Sequence, residues 1–249
     1  MEYPKFKDKH LQEALFHPSD FIKYGKWKHR LPQKYIITYQ TKAKNYFIRK
    51  YKPKKIKLYS LLDIYVFKNI GFVKMTGIGA PNAVAVFEEL IALGGKEFVN
   101  IGTAGGLQHE GIFLCDKALR DEGTSHHYLS NGDYSYPNKD FTEKLERVLK
   151  NKRINFERGA TWTIDAPYRE TKAEVKRYAN EGIATVEMEA SALFAVAGYR
   201  KVKIASAFVV SDLLGKEWQP NFHRFDVRKA QNDLIDAGLF LLSKGRFGK

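Results

Sequence analysis

Two glutamates flank one methionine where an apolar segment gives way to a helical pattern. Glu187 and Glu189 stand on either side of Met188, after an apolar run that ends at Val186 and before helically spaced apolar residues that begin at Ala192. A strand that ends in acids and continues into a helix places those acids at the carboxyl edge of a sheet, where open α/β folds bind ligands. Carboxylates accept hydrogen bonds from paired hydroxyls, so the pattern predicts a sugar-binding site.

A third acid, Asp212, follows Val210 and Ser211 at the end of another apolar segment. The local sequence leaves two interpretations open, a helix cap or a group that donates a proton to a leaving group. Ser211 is not predicted to be a nucleophile, because no nucleophile-elbow sequence surrounds it and the sequence places no base beside it.

Two glycine-containing loops are predicted to follow strands, over residues 76–82 and 102–106. Glycines let the backbone approach a ligand closely, and consecutive N–H groups can converge on an anion. Pro81 marks a helix start, whose positive dipole end also favours anions. Each loop alone is more often plain turn chemistry than a binding site, and Asn82 breaks the third glycine position of a dinucleotide fingerprint.

The elements that must position these residues alternate along the chain. This alternation indicates an α/β fold with a largely parallel or mixed sheet, preceded by an N-terminal leader over residues 1–33. A hairpin is predicted across residues 69–71. The predicted strands cover 35–39, 64–67, 72–75, 97–101, 112–119, 156–163 and 203–210, and the predicted helices cover 41–51, 83–93, 140–151, 171–180 and 226–243.

Composition narrows the class of protein further. The chain has 249 residues, of which 44% are hydrophobic, so one large α/β domain can bury a substantial core. Cys115 is the single cysteine, which excludes an intramolecular disulfide and fits a reducing compartment. The chain has no apolar run of roughly 18 residues and its start has no signal-peptide pattern, so a cytoplasmic protein without a membrane partner is predicted.

The net charge of +14 has three interpretations. Lysines spread over solvated faces explain it without any function, attraction of small anions such as phosphate is second, and nucleic-acid binding is third. The basic excess is concentrated in residues 42–55.

The order of residues 76–82, 102–106, Glu187–Ala190 and Val210–Asp212 resembles the purine nucleoside phosphorylase and uridine phosphorylase family, which also contains methylthioadenosine and AMP nucleosidases. The resemblance covers residues 34–243 and is most specific in the Glu-Met-Glu segment. It implies a single-domain, three-layer α/β/α fold with a central mixed sheet, and a catalytic domain over residues 34–249. It also implies cleavage of the N-glycosidic bond of a nucleoside.

Carried over to this sequence, the resemblance implies the catalytic roles. Glu189 would hold the ribose 2′- and 3′-hydroxyls, Met188 would pack under the sugar, and Glu187 would lie beside the sugar or the base. Asp212 would protonate, or hydrogen bond to, a purine at its leaving-group nitrogen. These residue types suit an oxocarbenium-like transition state, which needs an oriented sugar, nearby negative charge and help for the departing base.

The resemblance implies further contacts with substrate and phosphate. Thr103 and the region of Gly105 would contact phosphate and ribose, and Gly79 would shape the phosphate floor. Tyr168 or Trp162 would stack on the base, although Trp162 could equally be a core residue. His127 is a candidate for the 5′ end of the substrate, with a surface histidine as the alternative.

Two departures from the family pattern leave the nucleophile open. The Gly-Asp-Pro-x-Arg loop of the phosphorylases is absent after the first strand, and Asn100 replaces an arginine, as in the hydrolytic nucleosidases. Lys44, Arg49 and Arg120 are the candidate replacements, since lysine can hold phosphate as a point charge.

Together these features predict a pentosyltransferase, a nucleoside phosphorylase with phosphate as co-substrate and with no cofactor or metal. A purine is favoured over uridine, because the pyrimidine enzymes generally lack the acid at Asp212. One alternative is a nucleosidase, and an alternative of another class is a noncatalytic nucleotide- or nucleic-acid-binding module. Nucleic acid is an unlikely partner, and the family favours a homo-oligomer, either a dimer or a hexamer.

Overall fold

The computed structural model describes residues 4–6, 8–27, 31–59, 62–215 and 217–243. The predicted leader and catalytic domain also include residues 1–3, 7, 28–30, 60–61, 216 and 244–249, which lie outside the described residues.

Within the described residues, eleven strands belong to one sheet. They are β1 (Lys34–Thr38), β2 (Lys54–Tyr59), β3 (Leu62–Phe67), β4 (Ile70–Lys74), β5 (Glu97–Gly106), β6 (Ile112–Asp121), β7 (Tyr134–Ser135), β8 (Glu157–Ile164), β9 (Ile183–Glu187), β10 (Lys203–Leu214) and β11 (Trp218–Pro220).

The α-helices of the described residues connect these strands. They are α1 (Pro18–Tyr24), α2 (Thr41–Tyr51), α3 (Ala80–Ala92), α4 (Lys139–Asn151), α5 (Lys172–Asn180), α6 (Ala190–Arg200) and α7 (Phe225–Leu242). None of them combines the length and the apolarity needed to cross a membrane.

The sheet is mixed, and part of it closes on itself. Strand β5 pairs in parallel with β1 and β10 and antiparallel with β9. From β10 the pairing continues through β6, β8 and β9 back to β5, while β1, β4, β3 and β2 extend the sheet on the other side. Closure leaves the ring strands without free edges, so their backbone groups are satisfied by neighbours.

Helices cover both faces of this sheet. One core cluster joins α3 and α6 to one face, and a second joins α2, α4 and α7 to the other. The predicted α/β class, with three layers around a central mixed sheet, is therefore confirmed.

Two segments that were predicted to follow strands belong to strands instead. Residues 102–106 belong to β5, and Ser211–Asp212 belongs to β10. The glycines continue the strand because Gly105 pairs with Val186 on one side and with Asp212 on the other, so its backbone has ladder partners at both edges. A Cβ at Gly105 would lie 2.3 Å from Leu214 Cδ1, so only glycine fits between these neighbours without movement.

The predicted hairpin forms, but its turn lies one step earlier. Lys68 and Asn69 have positive φ angles of 46° and 62°, the combination required by a two-residue type I′ turn, and Ile70–Gly71 already belongs to β4. Strands β2, β7 and β11 were not predicted. In β2, Ile56 and Leu58 are more buried than the lysines beside them. The high lysine content of this segment obscured that alternation of apolar and polar residues in the sequence.

Gly71 provides a test of the packing that positions β1. A Cβ there would lie 2.3 Å from Cε1 of Tyr35, whose ring is fully buried and stacks on Phe98. We expect Gly71→Ala to lower the free energy of unfolding by about 1–3 kcal/mol, measured by urea denaturation. Gly198→Ala is the matched control: nothing lies within 4 Å of its Cβ position in α6, so it should stabilise by about 0.5–1 kcal/mol. Equal stability of the two variants would contradict this packing.

Candidate functional site

Strand β5 brings the three sequence segments together. Gly105 lies opposite Val186, the residue before Glu187, on one side and opposite Asp212 on the other. The ideal Cβ position of Gly105 is 3.0 Å from Val186 Cγ1 and 3.6 Å from Asp212 Oδ2. The sugar-binding acids and the acid predicted for the leaving group therefore flank one glycine.

Glu187 stabilises the turn between β9 and α6, where the candidate site lies. Its side chain is 6% exposed, and Oε2 accepts hydrogen bonds of 2.8 Å from the backbone N–H groups of Glu189 and Ala190. Oε1 accepts a hydrogen bond of 2.6 Å from the hydroxyl of Thr163, which itself accepts the N–H of Ser191. A carboxylate that receives first-turn N–H groups stabilises the N-terminus of α6.

Glu189 faces the loop between β4 and α3. It is 6% exposed, and its Oε1 accepts a 2.6 Å hydrogen bond from the N–H of Gly79, which has a positive φ of 94°. Met188, between the two acids, is half-buried. A carboxylate has about four lone-pair sites, so Glu189 retains acceptor capacity for sugar hydroxyls.

The two glutamates titrate as an interacting pair. Burial raises the pKa of Glu187, and the charge of Glu189 raises it further; burial also raises the pKa of Glu189. Burial and the charges of Glu189 and Glu187 also raise the pKa of the Tyr39 phenol. Like charges held in a buried site disfavour double ionisation.

Asp212 is also buried and is held at both oxygens. The Ser211 hydroxyl donates to Oδ1 and the indole N–H of Trp218 donates to Oδ2, each at 2.8 Å. Burial and the charge of Asp212 raise the pKa of nearby Glu170 to about 7. A second carboxyl group therefore lies near Asp212, and it carries a proton for part of the time at neutral pH.

The hydroxyl of Thr103 accepts a hydrogen bond from a glutamine side chain. Gln40, which follows β1, donates from Nε2 to Thr103 Oγ1 at 2.9 Å. Its Oε1 accepts from the Thr38 hydroxyl at 3.1 Å and from Gln231 Nε2 of α7 at 2.6 Å. The hydroxyl of Thr103 therefore accepts from one neutral amide, which Thr38 and Gln231 hold in place.

Asn100 belongs to a second neutral chain of hydrogen bonds. Its Oδ1 accepts from the Tyr39 hydroxyl and its Nδ2 donates to Ser206 Oγ, both at 3.1 Å. Asn100 is fully buried, so the position where an arginine was expected holds a structural amide.

Two of the predicted phosphate contacts are bonded to protein groups in the structure. The N–H of Gly79 donates to Glu189, so this N–H is already engaged. Arg120 is 6% exposed, and its five N–H donors bind within its own loop region. Its partners are the side chains of Ser125 and His126 and the carbonyls of Leu129, Asn131 and Gly132.

The other two cations lie on α2. Arg49 is exposed in the last turn, and a rise of about 1.5 Å per residue separates its Cα from that of Thr41 by about 12 Å. Lys44 lies at the opposite end of the helix, in the turn that follows Gln40, and is half-buried.

The two aromatic residues that were predicted to stack on the base lie in different environments. Trp162 is fully buried, donates its indole N–H to Asp121 and packs on Tyr178, so it is a core residue and the predicted base contact does not hold. Tyr168 is 99% exposed on a short 3-10 turn, and its ring lies in solvent. Stacking of Tyr168 on a base stays a prediction.

His127 lies apart from the acids, on a 3-10 turn over Ser125–His127. It lines a cavity of about 1160 Å³ together with the leader and the first turns of α3, including Phe16, Pro81 and Val84. Burial and the charge of Lys9 lower the pKa of its ring.

Sequence reasoning missed several residues of the site. Gln40 and Gln231 carry no motif signal. Glu170 follows a short 3-10 turn and Trp218 begins the three-residue strand β11, and only the fold sets the position of both. The departure from the family loop at residues 39–44 was the one available pointer to Gln40. Among the described residues, no three His, Cys, Asp or Glu side chains converge in a way that could hold a metal ion.

The sequence of this chain is similar to those of known proteins of one family. The model of a family described as the phosphorylase superfamily matches residues 62–239. An uncharacterised protein of Acanthamoeba polyphaga mimivirus is 30% identical over 172 residues, which are 67% of this chain and 63% of that protein. A DeoD-type purine nucleoside phosphorylase of Exiguobacterium sp. is 29% identical over 64% of this chain and 70% of its own length. The resemblance read from the sequence is confirmed.

Other relatives and solved structures extend the comparison. A uridine phosphorylase of Treponema pallidum is 29% identical over 55% of this chain and 59% of its own length. An AMP nucleosidase of Bacteroides thetaiotaomicron superposes with a TM-score of 0.76 at 20% identity, covering 94% of this chain and 100% of that one. At this identity the structure shows the fold alone. The relatives named as phosphorylases confirm the predicted enzyme class, pentosyltransferase.

The raised pKa values of the glutamate pair predict how stability depends on pH. The folded state binds these protons more tightly than the unfolded chain, where a glutamate has a pKa of about 4.3. Their contribution is therefore fully present below that pH and is lost as pH rises through the folded pKa values. Glu187→Gln removes one buried charge, so we expect its Tm to fall less than that of the wild type between pH 5 and pH 9.

Thermal unfolding across this range is the measurement, and Glu143→Gln, on α4 away from the sheet edge, is the control. Parallel Tm curves for wild type and Glu187→Gln would contradict the assignment.

Proposed function

Because the chain belongs to the phosphorylase superfamily, we propose that it is a nucleoside phosphorylase acting on a purine ribonucleoside. It would transfer ribose from the base to phosphate, giving a free base and ribose 1-phosphate. The observation that carries the proposal is the placement of Glu187 and Glu189 on one side of Gly105 and of Asp212 on the other.

The glutamate pair suits the sugar end of the reaction. Glu189, fixed by Gly79, accepts hydrogen bonds from the ribose 2′- and 3′-hydroxyls, and Met188 packs beneath the ring. Cleavage develops positive charge on the sugar, and buried carboxylates whose hydrogen bonds are already in place stabilise such charge without reorganisation. Glu187 contributes mainly by holding the turn.

Asp212 suits the base end. Ser211 and Trp218 fix its carboxyl group, and Glu170 beside it has a pKa of about 7. A protonated carboxyl group here can donate to the nitrogen of the departing base, which is the general-acid role. A purine is supported because its imidazole ring has a nitrogen that can accept a proton from such a donor, whereas a pyrimidine lacks this nitrogen.

The N-terminus of α2 supports phosphate as the nucleophile. Gln40 binds Thr103 and immediately precedes this helix, whose first turn has no acidic residue and carries Lys42 and Lys44. Free N–H groups, a positive dipole end and two ammonium groups favour an anion. The relatives named as purine nucleoside and uridine phosphorylases support the same acceptor.

Hydrolysis is the second candidate, favoured by one specific observation. Asn100 and Gln40 are neutral and engaged with protein groups, where arginines of the phosphorylases were expected. Water needs no arginine. A cytoplasmic location and assembly into a homo-oligomer belong to the main proposal.

A nucleoside panel assayed with and without phosphate tests the reaction. We expect release of free base from adenosine, guanosine or inosine to require phosphate, and release from uridine to be slower. Glu189→Ala should lose at least about 100-fold in kcat/KM while its unfolding curve is retained, because the ribose hydroxyls lose their acceptor. Release without phosphate would support the nucleosidase, and no release from any nucleoside together with salt-sensitive nucleic-acid binding would refute both enzymes.

The lysine at the start of α2 gives a second test. Lys44→Ala should raise the KM for phosphate by about tenfold, since a point charge near the anion is lost, with little change in the KM for nucleoside. Arg49→Ala removes the same charge from the last turn of the helix and should leave both constants within about twofold, as expected for an exposed site screened by salt. Equal effects of the two variants would show that only overall charge matters.

A further inference from the structure

The side chain of Gln40 links β1, α7 and β5 at the site. Its Oε1 accepts from Thr38 Oγ1 and from Gln231 Nε2, at 3.1 Å and 2.6 Å. Its Nε2 donates to Thr103 Oγ1 at 2.9 Å. Thr38 is fully buried and Gln231 is 4% exposed. The side-chain amide of Gln40 is therefore held by two groups that solvent does not reach.

This arrangement determines the direction of the Thr103 hydroxyl. A threonine hydroxyl has one proton and two lone pairs, and here a lone pair is occupied by the N–H of Gln40. The proton of Thr103 is therefore directed away from Gln40. Because Gln40 Oε1 already receives two donors, the amide oxygen does not compete for that proton.

The hydroxyl lies beside the sugar site. The ring of Tyr39 is 3.5 Å from the ideal Cβ position of Gly102, the residue before Thr103. Two residues further along the same strand, Gly105 pairs with Val186, the residue before Glu187, and with Asp212. Thr103 is half-buried, so part of its side chain remains accessible.

We propose that Gln40 is a positioning residue that holds the Thr103 hydroxyl as a hydrogen-bond donor toward the nucleophile attacking ribose C1′. The inference rests on the proposed function for the location of the sugar, and it applies to either phosphate or water as the nucleophile. Thr103 donates to an oxygen of the nucleophile, and no bond to Gln40 or Thr103 forms or breaks. In this chain a neutral amide orients the nucleophile through Thr103, at the strand end where the phosphorylases carry their loop arginine.

The test is an isosteric change that reverses the direction of one hydrogen bond. In Gln40→Glu the carboxylate still accepts from Thr38 and Gln231, so the fold is retained, but it also accepts the Thr103 proton and turns it away from the nucleophile. We expect the KM for phosphate to rise about tenfold or more, the value of one hydrogen bond to a charged group, while the KM for nucleoside changes less than about twofold. If release proves independent of phosphate, the readout is kcat/KM for the nucleoside.

Two further variants separate positioning from simple charge repulsion. Gln33→Glu adds the same charge at an exposed position just before the opposite end of β1, and should leave both KM values unchanged. In a Thr103→Ala background, Gln40→Glu should have an effect about tenfold smaller than in the wild type, because its mediator is absent.

An equal effect of Gln40→Glu in both backgrounds, or full activity of the Gln40→Glu variant, would overturn the inference and leave the proposed function standing. A wild-type protein that releases no base from any nucleoside, with Glu189→Ala indistinguishable from it, would instead refute the proposed function.

Discussion

The buried carboxylate of Glu187 is the constraint on which the site depends. It receives two backbone N–H groups at the start of α6 and the hydroxyl of Thr163, and these three donors define the sharp turn between β9 and α6. Burying a charge is costly unless hydrogen bonds compensate it, so the turn and the acid stabilise one another. Only with this turn in place does Glu189 reach the N–H of Gly79 on a different loop.

The second requirement is a strand that tolerates close neighbours on both sides. Strand β5 lies between β9 and β10, and Gly105 separates the residues next to Glu187 from Asp212. Any side chain at this position would push the acids apart, because Leu214 and Val186 already occupy the space. The closed ring of pairing keeps both acid-bearing strands in register with β5, so the glutamate pair and Asp212 are held at a fixed separation.

The polar groups near Thr103 differ from those between β9 and α6. Acids are concentrated at the start of α6, while Thr103 accepts from the neutral amide of Gln40, which Gln231 holds, and the buried amide of Asn100 lies in the same strand. Much of the chain's positive charge lies elsewhere. On β2, lysines occupy exposed positions of a sheet edge, where such charges prevent pairing with another strand, and this explains part of the basic excess without any ligand.

The local sequence pattern was sufficient to predict the α/β class and most helices, and to identify Glu187, Glu189 and Asp212 as candidate site residues. Apolar periodicity and polar residues at strand ends are encoded by neighbouring residues. Tertiary structure alone decided what each polar group contacts. Arg120 became a loop anchor and Trp162 a core residue, and Gln40 acquired its role from partners 63 and 191 positions away in sequence. Strands β7 and β11 and the outer half of β5 exist only because neighbouring strands supply their hydrogen bonds, which no local propensity records.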